Sequence, residues 1–326
     1  MRKLVLACII MCIAVFIGCG RKSGSSQWSK LEIAVIPKGT THSFWRAVHA
    51  GAAKAGTEFG AEIIWQGPQK EDDRQMQIQV VQNVTSRGVD AIVLAPLDDQ
   101  ALVAPINAAV NRGIEVIIID SDLKSEHYSS FVATDNYVGG KLCARRLVDV
   151  LGEEGKVMML RYQEGSASTS NREQGFIDGI KEYGSKIKLV STSQYAGATI
   201  EKAFQASQNL LNRYPRIDGI FCPNESSTQG MLRALQTSGR AGKVKFVGFD
   251  SNETLLNALR NGEIHGLALQ SPFKMGYLGV KTAVDVLKGK PVEKRIDTGV
   301  SLLTIENIAQ PEMQQLIAPD ISRWLD

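Results

Sequence analysis

Asp90-Ala91-Ile92-Val93-Leu94 and, after a helical stretch, Glu115-Val116-Ile117-Ile118-Ile119 decide the fold. Both are short β-branched and aliphatic runs with no polar residue alternating through them. A strand with one face in water alternates, whereas a strand covered on both faces reads as a continuous apolar run, the mark of a parallel sheet with helices on either side. Between the two runs, Gln100–Arg112 is helical in character and stops at Gly113, a good stop residue.

The same grammar extends outward. Leu31–Ile36 is expected as a strand and Ser43–Phe59 as a helix. Phe44, Val48, Ala52, Ala55 and Phe59 recur on one helical face at spacings of three and four. Ala61–Trp65 reads as a strand and Asp72–Arg87 as a helix. The pattern restarts near Gly155. Strands are expected at Lys156–Leu160, Ile187–Ser191, Ile217–Cys222 and Val244–Gly248, with helices at Asn171–Tyr183, Thr199–Tyr214 and Thr228–Ser238. Val89–Val93 and Ile217–Phe221 match in type and place, which suggests two lobes of similar topology. The fold class is therefore α/β, with two doubly wound parallel-sheet lobes.

Bulk composition agrees with this and excludes other classes. A chain of 326 residues suits two domains of ordinary size. Hydrophobic residues make up 44%, enough for a packed core. A net charge of +3, from 37 basic and 34 acidic residues, is too balanced for a nucleic-acid binder.

Residues 1–18 read as a secretory leader: Arg2 and Lys3 precede the apolar Leu4–Ile17, and Gly18-Cys19 follows. The apolar run is about 14 residues, short of the roughly 20 that span a membrane. A Cys directly after a small residue suggests a bacterial lipoprotein signal, and Phe16-Ile17-Gly18-Cys19 resembles the lipobox. Lipidation is expected at Cys19; an ordinary cleaved signal and an uncleaved anchor are the other readings. Residues 19–30, rich in Gly and Ser, form a flexible tether. Cys8 and Cys12 leave with the leader. Cys143 and Cys222 are then the unmodified thiols, at no metal-ligand spacing. Buried free thiols are expected of them, with a disulfide as the other reading.

Doubly wound sheets bind ligands beyond the carboxyl ends of their strands. Polar and aromatic residues collect there: His42, Phe44 and Trp45; Asp98 and Asp99; Asp120 and Asp122; Arg161 and Arg172; Asn224; Phe249 and Asp250; Gln270. Carboxylates accept hydrogen bonds, Arg and Asn form bidentate forks, and aromatic faces cover the C–H faces of a sugar ring. Taken singly, most have plainer roles. Asp98 is expected as a helix cap, and Asp120, Asn224 and Asp250 serve equally as cap or ligand. Arg172 suits a surface ion pair and His42 a loop. Of Phe44 and Trp45, one suits the core and the other the crevice. Convergence at one end of two sheets is what points to a polyol.

Along these residues the chain resembles the ribose-type periplasmic sugar-binding proteins, type I solute-binding proteins of ABC transporters that share their fold with lactose-repressor-like effector domains. The resemblance runs from about Leu31 to the C-terminus. It is carried by Gly88–Ile92, Ala133–Asn136 with Gly139-Gly140-Lys141, Phe221–Glu225, Val247–Asp250, Lys288–Val292 and Asp297–Val300. It implies that Phe44 and Trp45 sandwich the sugar, and that Asp120, Arg172, Asn224 and Asp250 bind its hydroxyls. Phe249 accompanies Asp250, and Gln270 lies at a lobe crossover. His42 and Ser121 stand where the ribose binders carry Asn and Arg; with Asp122, they imply that a different set of hydroxyls is read. The family's aromatic near Ala198 is absent, with Tyr195 and Phe204 as candidates to replace it.

The resemblance further implies crossings near Thr134, Gln270 and Asp297. Residues 31–134 and 271–296 would form the N-terminal lobe, and 135–270 and 297–326 the C-terminal lobe. It also implies a monomer that passes a small-molecule sugar to an ABC transporter permease, held at the periplasm or cell surface by a lipid anchor only. Presenting the ligand to a chemoreceptor or histidine kinase is the alternative, and autoinducer-2 is the alternative ligand. No Ser/His/Asp arrangement, His/Cys metal cluster or phosphate-binding Gly-rich loop stands at credible spacing, so no catalytic residue, cofactor or metal is expected.

Overall fold

A computed structural model describes residues 30–325. The expected leader, the lipidation site Cys19 and nearly all of the tether lie outside the described residues. Among the described residues no helix is long and apolar enough to cross a membrane.

The first sheet orders six strands as β11 (Arg295–Asp297), β5 (Ser130–Ala133), β4 (Glu115–Ile119), β3 (Ala91–Leu94), β1 (Leu31–Ile36) and β2 (Ala61–Trp65), all parallel. The apolar runs that decided the fold, β3 and β4, are central and fully covered. One face carries α1 (Ser43–Phe59) and α9 (Pro272–Leu287), and the other carries α2 (Arg74–Arg87) and α3 (Val103–Val110). The second sheet orders β12 (Ser301–Leu303), β10 (Gly266–Leu269), β9 (Lys245–Phe249), β8 (Gly219–Phe221), β6 (Glu154–Arg161) and β7 (Lys186–Tyr195), with β12 alone antiparallel. α4 (Asn136–Leu151) and α5 (Ala167–Tyr183) cover one face; α6 (Ile200–Arg213), α7 (Glu225–Thr237) and α8 (Glu253–Arg260) cover the other. This is the doubly wound α/β architecture, twice.

The chain passes between the sheets after β5, between β10 and α9, and between β11 and β12. α10 (Pro311–Ile317) packs Met313, Leu316 and Ile317 on the second sheet's core. The stretch beyond it, including Pro319 and Trp324, turns back to Lys54 and Phe273 on the first lobe.

Helix ends differ from the sequence expectation where caps decide them. α7 begins at Glu225, three residues before the expected start at Thr228, because Asn224 and Ser227 form a capping box. α3 keeps only Val103–Val110 of the expected Gln100–Arg112, since Asp98 accepts from the N–H groups of Gln100 (3.0 Å) and Ala101 (2.8 Å) and holds the entry as a turn. Asp98 therefore caps this turn and not the helix, whose N-cap is Leu102 without a side-chain bond.

Two helices, α4 and α9, carry glycines where they meet a neighbouring helix. Each has paired glycines, Gly139-Gly140 and Gly276 with Gly279, which lower helix propensity by about 1 kcal/mol apiece. Packing explains them. A Cβ on Gly140 would stand 2.0 Å from the Arg172 carbonyl oxygen of α5, and one on Gly175 would stand 2.1 Å from that of Tyr137. The contact of α9 with α1 repeats the device through Gly276 and Gly51. Bare backbones let these helices touch, and the first pair fixes where Arg172 sits.

Gly140→Ala is expected to push α5 off α4 and cost about 1–3 kcal/mol. Urea denaturation checks this, and an unchanged midpoint would mean that the helices separate freely.

Candidate functional site

The carboxyl ends of both sheets face one another across a cleft. Its cavity measures only ≈ 30 Å³, because the side chains that line it already bond across it. From the first lobe come Lys38, His42, Phe44, Trp45, Glu71 and Asp120; from the second, Tyr162, Ser168, Thr169, Arg172, Asn224, Glu225 and Asp250; Gln270 stands at the crossing.

Asp120 follows β4 and Asp250 follows β9, at corresponding places in the two sheets. Both have left-handed backbone, with φ 62° and 66°. Asp tolerates that region better than most residues, yet such strain persists only where its surroundings over-determine it. Lys38 Nζ lies 2.7 Å from Asp120 Oδ2 and donates to Ser168 Oγ (3.0 Å) and Ser166 Oγ (3.4 Å) of the second lobe. Asp250 accepts from Gln270 Nε2 (2.7 Å) and from the Glu225 N–H (3.1 Å). Burial pushes the Asp250 carboxyl up to about 6, against the downward pull of Arg172 and Gln270.

Arg172 is 2% exposed, which excludes the surface ion-pair reading. Its Nε donates to Asn136 Oδ1 (2.8 Å) and a terminal nitrogen donates to the Pro223 carbonyl (2.9 Å). Its guanidinium lies 3.9 Å from the centre of the Phe249 ring and 3.8 Å from Asp250 Oδ2. Asn224 is both cap and lining residue: its Oδ1 accepts from the Ser227 N–H (3.3 Å) while the residue also borders the cavity.

Glu71 ties the lobes together. It accepts from Trp45 Nε1 (2.5 Å) and pairs with His42 Nδ1 (2.7 Å), both of its own lobe. From the second lobe the Tyr162 hydroxyl donates to its other oxygen, and Gln163 Nε2 donates to its carbonyl (2.9 Å). Burial alone raises the Glu71 carboxyl, but His42, Tyr162 and Lys38 outweigh it and hold the group near 2. Burial likewise lowers His42, and Glu71, with Glu225 and Asp250 behind it, reverses this and lifts the imidazole to about 9. His42 is thus more than a loop residue.

A second bridge joins Glu225 to α1. The N-cap position of α1, His42, makes no side-chain cap bond. The Glu225 carboxylate of the facing lobe takes that place, accepting from the N–H groups of Ser43 (3.4 Å) and Phe44 (3.3 Å), where the positive end of the helix dipole favours an anion.

Of the ten residues expected at the ligand, eight border this cavity: His42, Phe44, Trp45, Asp120, Arg172, Asn224, Asp250 and Gln270. The other two do not. Asp122 is turned into its own loop, where it accepts from the Leu123 N–H (2.8 Å) and the Tyr128 hydroxyl (3.0 Å). Phe249 is fully buried in the second lobe beneath Arg172 and acts as a support. Trp45 is 2% exposed and Phe44 half-buried, with their rings edge to face at 4.9 Å. Tyr195 stacks under Arg161 and Phe204 under Arg233, and neither aromatic borders the cavity.

Lys38, Glu71, Tyr162, Ser168, Thr169 and Glu225 also border the cavity and were not among the expected ligand residues. Tyr162 directly follows β6, and Lys38 stands two residues beyond β1. Glu71, in Pro68-Gln69-Lys70-Glu71-Asp72-Asp73, has the composition of a surface turn. Cys143 and Cys222 are buried free thiols, their proton loss opposed by burial. Among the described residues no group of His, Cys, Asp and Glu could hold a metal ion.

Fold and cleft together define a two-lobed α/β binding protein. A periplasmic binding protein domain matches residues 33–291, and the chain belongs to that family. It is 28% identical over 321 residues to the D-ribose/D-allose-binding protein of Pseudomonas aeruginosa, covering 95% of this chain and 98% of that one. Among solved structures it is similar to a carbohydrate transporter solute-binding protein from Agrobacterium radiobacter in complex with D-arabinose. That likeness has a TM-score of 0.86 and 34% identity, over 89% of this chain and 100% of that one. An ABC transporter solute-binding protein from Agrobacterium vitis with bound D-fucose is 37% identical at a TM-score of 0.85, over 88% and 100% of the two chains. The relatives are solute-binding proteins, which are not enzymes, and the family implies an extracytoplasmic location.

Because His42 is raised from 6.5 to about 9, its contribution to stability is complete below about pH 6.5 and is lost as pH rises through 9. Glu71, lowered from 4.5 to about 2, contributes fully above about pH 4.5 and loses that contribution as pH falls towards 2. Thermal melts should fall between pH 7 and 10 by on the order of 1–3 kcal/mol in stability, and His42→Gln should flatten that fall. A melting temperature independent of pH over that range would refute the pairing.

Proposed function

We infer that the protein captures a neutral monosaccharide or similar polyol in the interlobe cleft and delivers it to the permease of an ABC importer. The observation that supports this best is charge balance at a buried polar site. Glu71, Asp120 and Asp250 pair with His42, Lys38 and Arg172, and the fourth carboxylate, Glu225, is set against the N-terminal N–H groups of α1. A paired set of this kind offers donors and acceptors to hydroxyls without a surplus charge to attract an ion. The sugars named in the relatives, D-ribose, D-allose, D-arabinose and D-fucose, are neutral polyols.

His42, Phe44, Asp120, Arg172, Asn224, Asp250 and Gln270 are the residues assigned to the ligand, with Glu71 and Glu225 closing the lobes around it. Residues 31–134 with 271–296 move against 135–270 with most of 297–325. The ligand favours closure only by binding the closed arrangement more tightly than the open one, and residues contributed by both lobes provide that difference. A lipid on Cys19, followed by the tether of residues 19–30, would hold the protein near its transporter as a monomer.

A thermal-shift panel of pentoses, hexoses, polyols and autoinducer-2 tests the class of ligand. A sugar at 100 times its dissociation constant should add about 2.7 kcal/mol of stability. Arg172→Ala and Asp250→Ala each leave buried partners unpaired and should weaken that sugar by about tenfold or more, with the circular dichroism spectrum retained. If both variants keep wild-type affinity, the ligand lies elsewhere.

A further inference from the structure

A second cavity of ≈ 200 Å³ adjoins the cleft. Phe44, Asp250 and Gln270 belong to the walls of both. On its far side the C-terminal stretch forms the wall, with Leu316, Ile317, Pro319 and Ile321. Leu316 and Ile317 pack on the second lobe, while Trp324 lies near Lys54 of the first, 6.0 Å from Nζ to the ring centre. The wall is therefore tied to both lobes.

Its chemistry differs from that of the cleft. No Lys, Arg or His borders it, and its charged groups are Asp250 and Glu253. Phosphate or carboxylate would be repelled. Leu256, Leu269, Pro272 and Ile317 give it an apolar face that gains from covering a hydrocarbon group. An apolar cavity of about 150 Å³ is enough for a benzene ring.

Gln270, 5% exposed, stands between the two cavities. Its Nε2 is used by Asp250, and its Oε1 is buried without a partner. A buried acceptor left unpaired is costly, and a hydroxyl of a ligand at this junction would satisfy it.

We propose that this cavity is a subsite for the apolar aglycone of a neutral glycoside whose sugar ring occupies the cleft. The proposal rests on the sugar reading above and extends it, since it makes the preferred ligand a glycoside rather than a free sugar. The junction residue Gln270 reads the hydroxyl nearest the glycosidic carbon, and the C-terminal stretch encloses the aglycone.

Isothermal titration of the purified protein with D-ribose, D-allose, D-arabinose and D-fucose, and with the methyl and phenyl glycosides of each, tests it. At least one phenyl glycoside should bind about tenfold tighter than its parent sugar, a difference of about 1.4 kcal/mol. Ile317→Trp, which fills the cavity from the C-terminal wall, should remove that gain and leave the parent sugar's affinity unchanged. Ser251→Trp fills it from the opposite wall and should do the same, with binding of the parent sugar as the control for folding in both. If a free sugar binds and no glycoside of it binds more tightly, the subsite is refuted while the sugar reading stands. A gain that survives both fillings refutes it as well. Failure of every sugar and glycoside overturns the sugar reading, and the subsite with it.

Discussion

A carboxylate buried where two lobes meet has to be neutralised and hydrogen-bonded by groups from both, or it forces them apart. Glu71 meets that requirement with His42 and Trp45 from its own lobe and Tyr162 from the other. Separating the lobes removes the Tyr162 bond and lets water reach the His42 pair. The same logic governs Glu225, which gives the uncapped α1 its acceptor only while the lobes are closed. Closure is thus written in a small number of charged contacts that need each other, with the ordinary ion pair of Lys202 and Asp72 (2.7 Å) at the rim.

The two lobes solve the same positioning problem in the same way. Each ends a central strand in an aspartate with left-handed backbone, Asp120 and Asp250, so that a short carboxylate is presented at the strand end rather than folded back as a cap. Each also uses glycine to bring two helices into backbone contact. In the second lobe that contact places Arg172, whose guanidinium then rests on Phe249 and reaches towards Asp250. Phe249 contributes by supporting the arginine from below, which is why a residue expected beside the ligand is found in the core.

The departures from the ribose-type pattern acquire a physical meaning here. His42 does not replace an uncharged asparagine as a simple donor: Glu71 holds it charged and takes Nδ1, which leaves the Nε2–H as the one donor it can offer a ligand. Ser121, where the ribose binders carry an arginine, accepts a hydrogen bond from the Ser168 N–H (3.0 Å) across the cleft. The positive charge at this end of the cleft comes instead from Lys38, which reaches Asp120 from the loop after β1. The cleft places its donors differently from the ribose-type pattern, so hydroxyl stereochemistry is where this protein and its relatives are expected to diverge.

The sequence by itself determined the doubly wound architecture, because continuous apolar runs such as Ile117-Ile118-Ile119 admit only a strand covered on both faces. It also determined most of the cleft, because residues directly after strands must lie at the sheets' carboxyl ends. Only the tertiary structure decided which of these residues face inward. Asp122 is two residues from Asp120, yet Tyr128 claims its carboxylate, a contact that depends on how one loop folds. Glu71 sits in a turn whose composition suggests a solvated surface, and it is buried only because the opposite lobe closes over it. α4 and α9 likewise owe their helicity to neighbours that reward glycine, a benefit that exists only once two helices touch. Local sequence periodicity records what each element buries; it does not record what a second lobe, distant in the chain, brings to meet it.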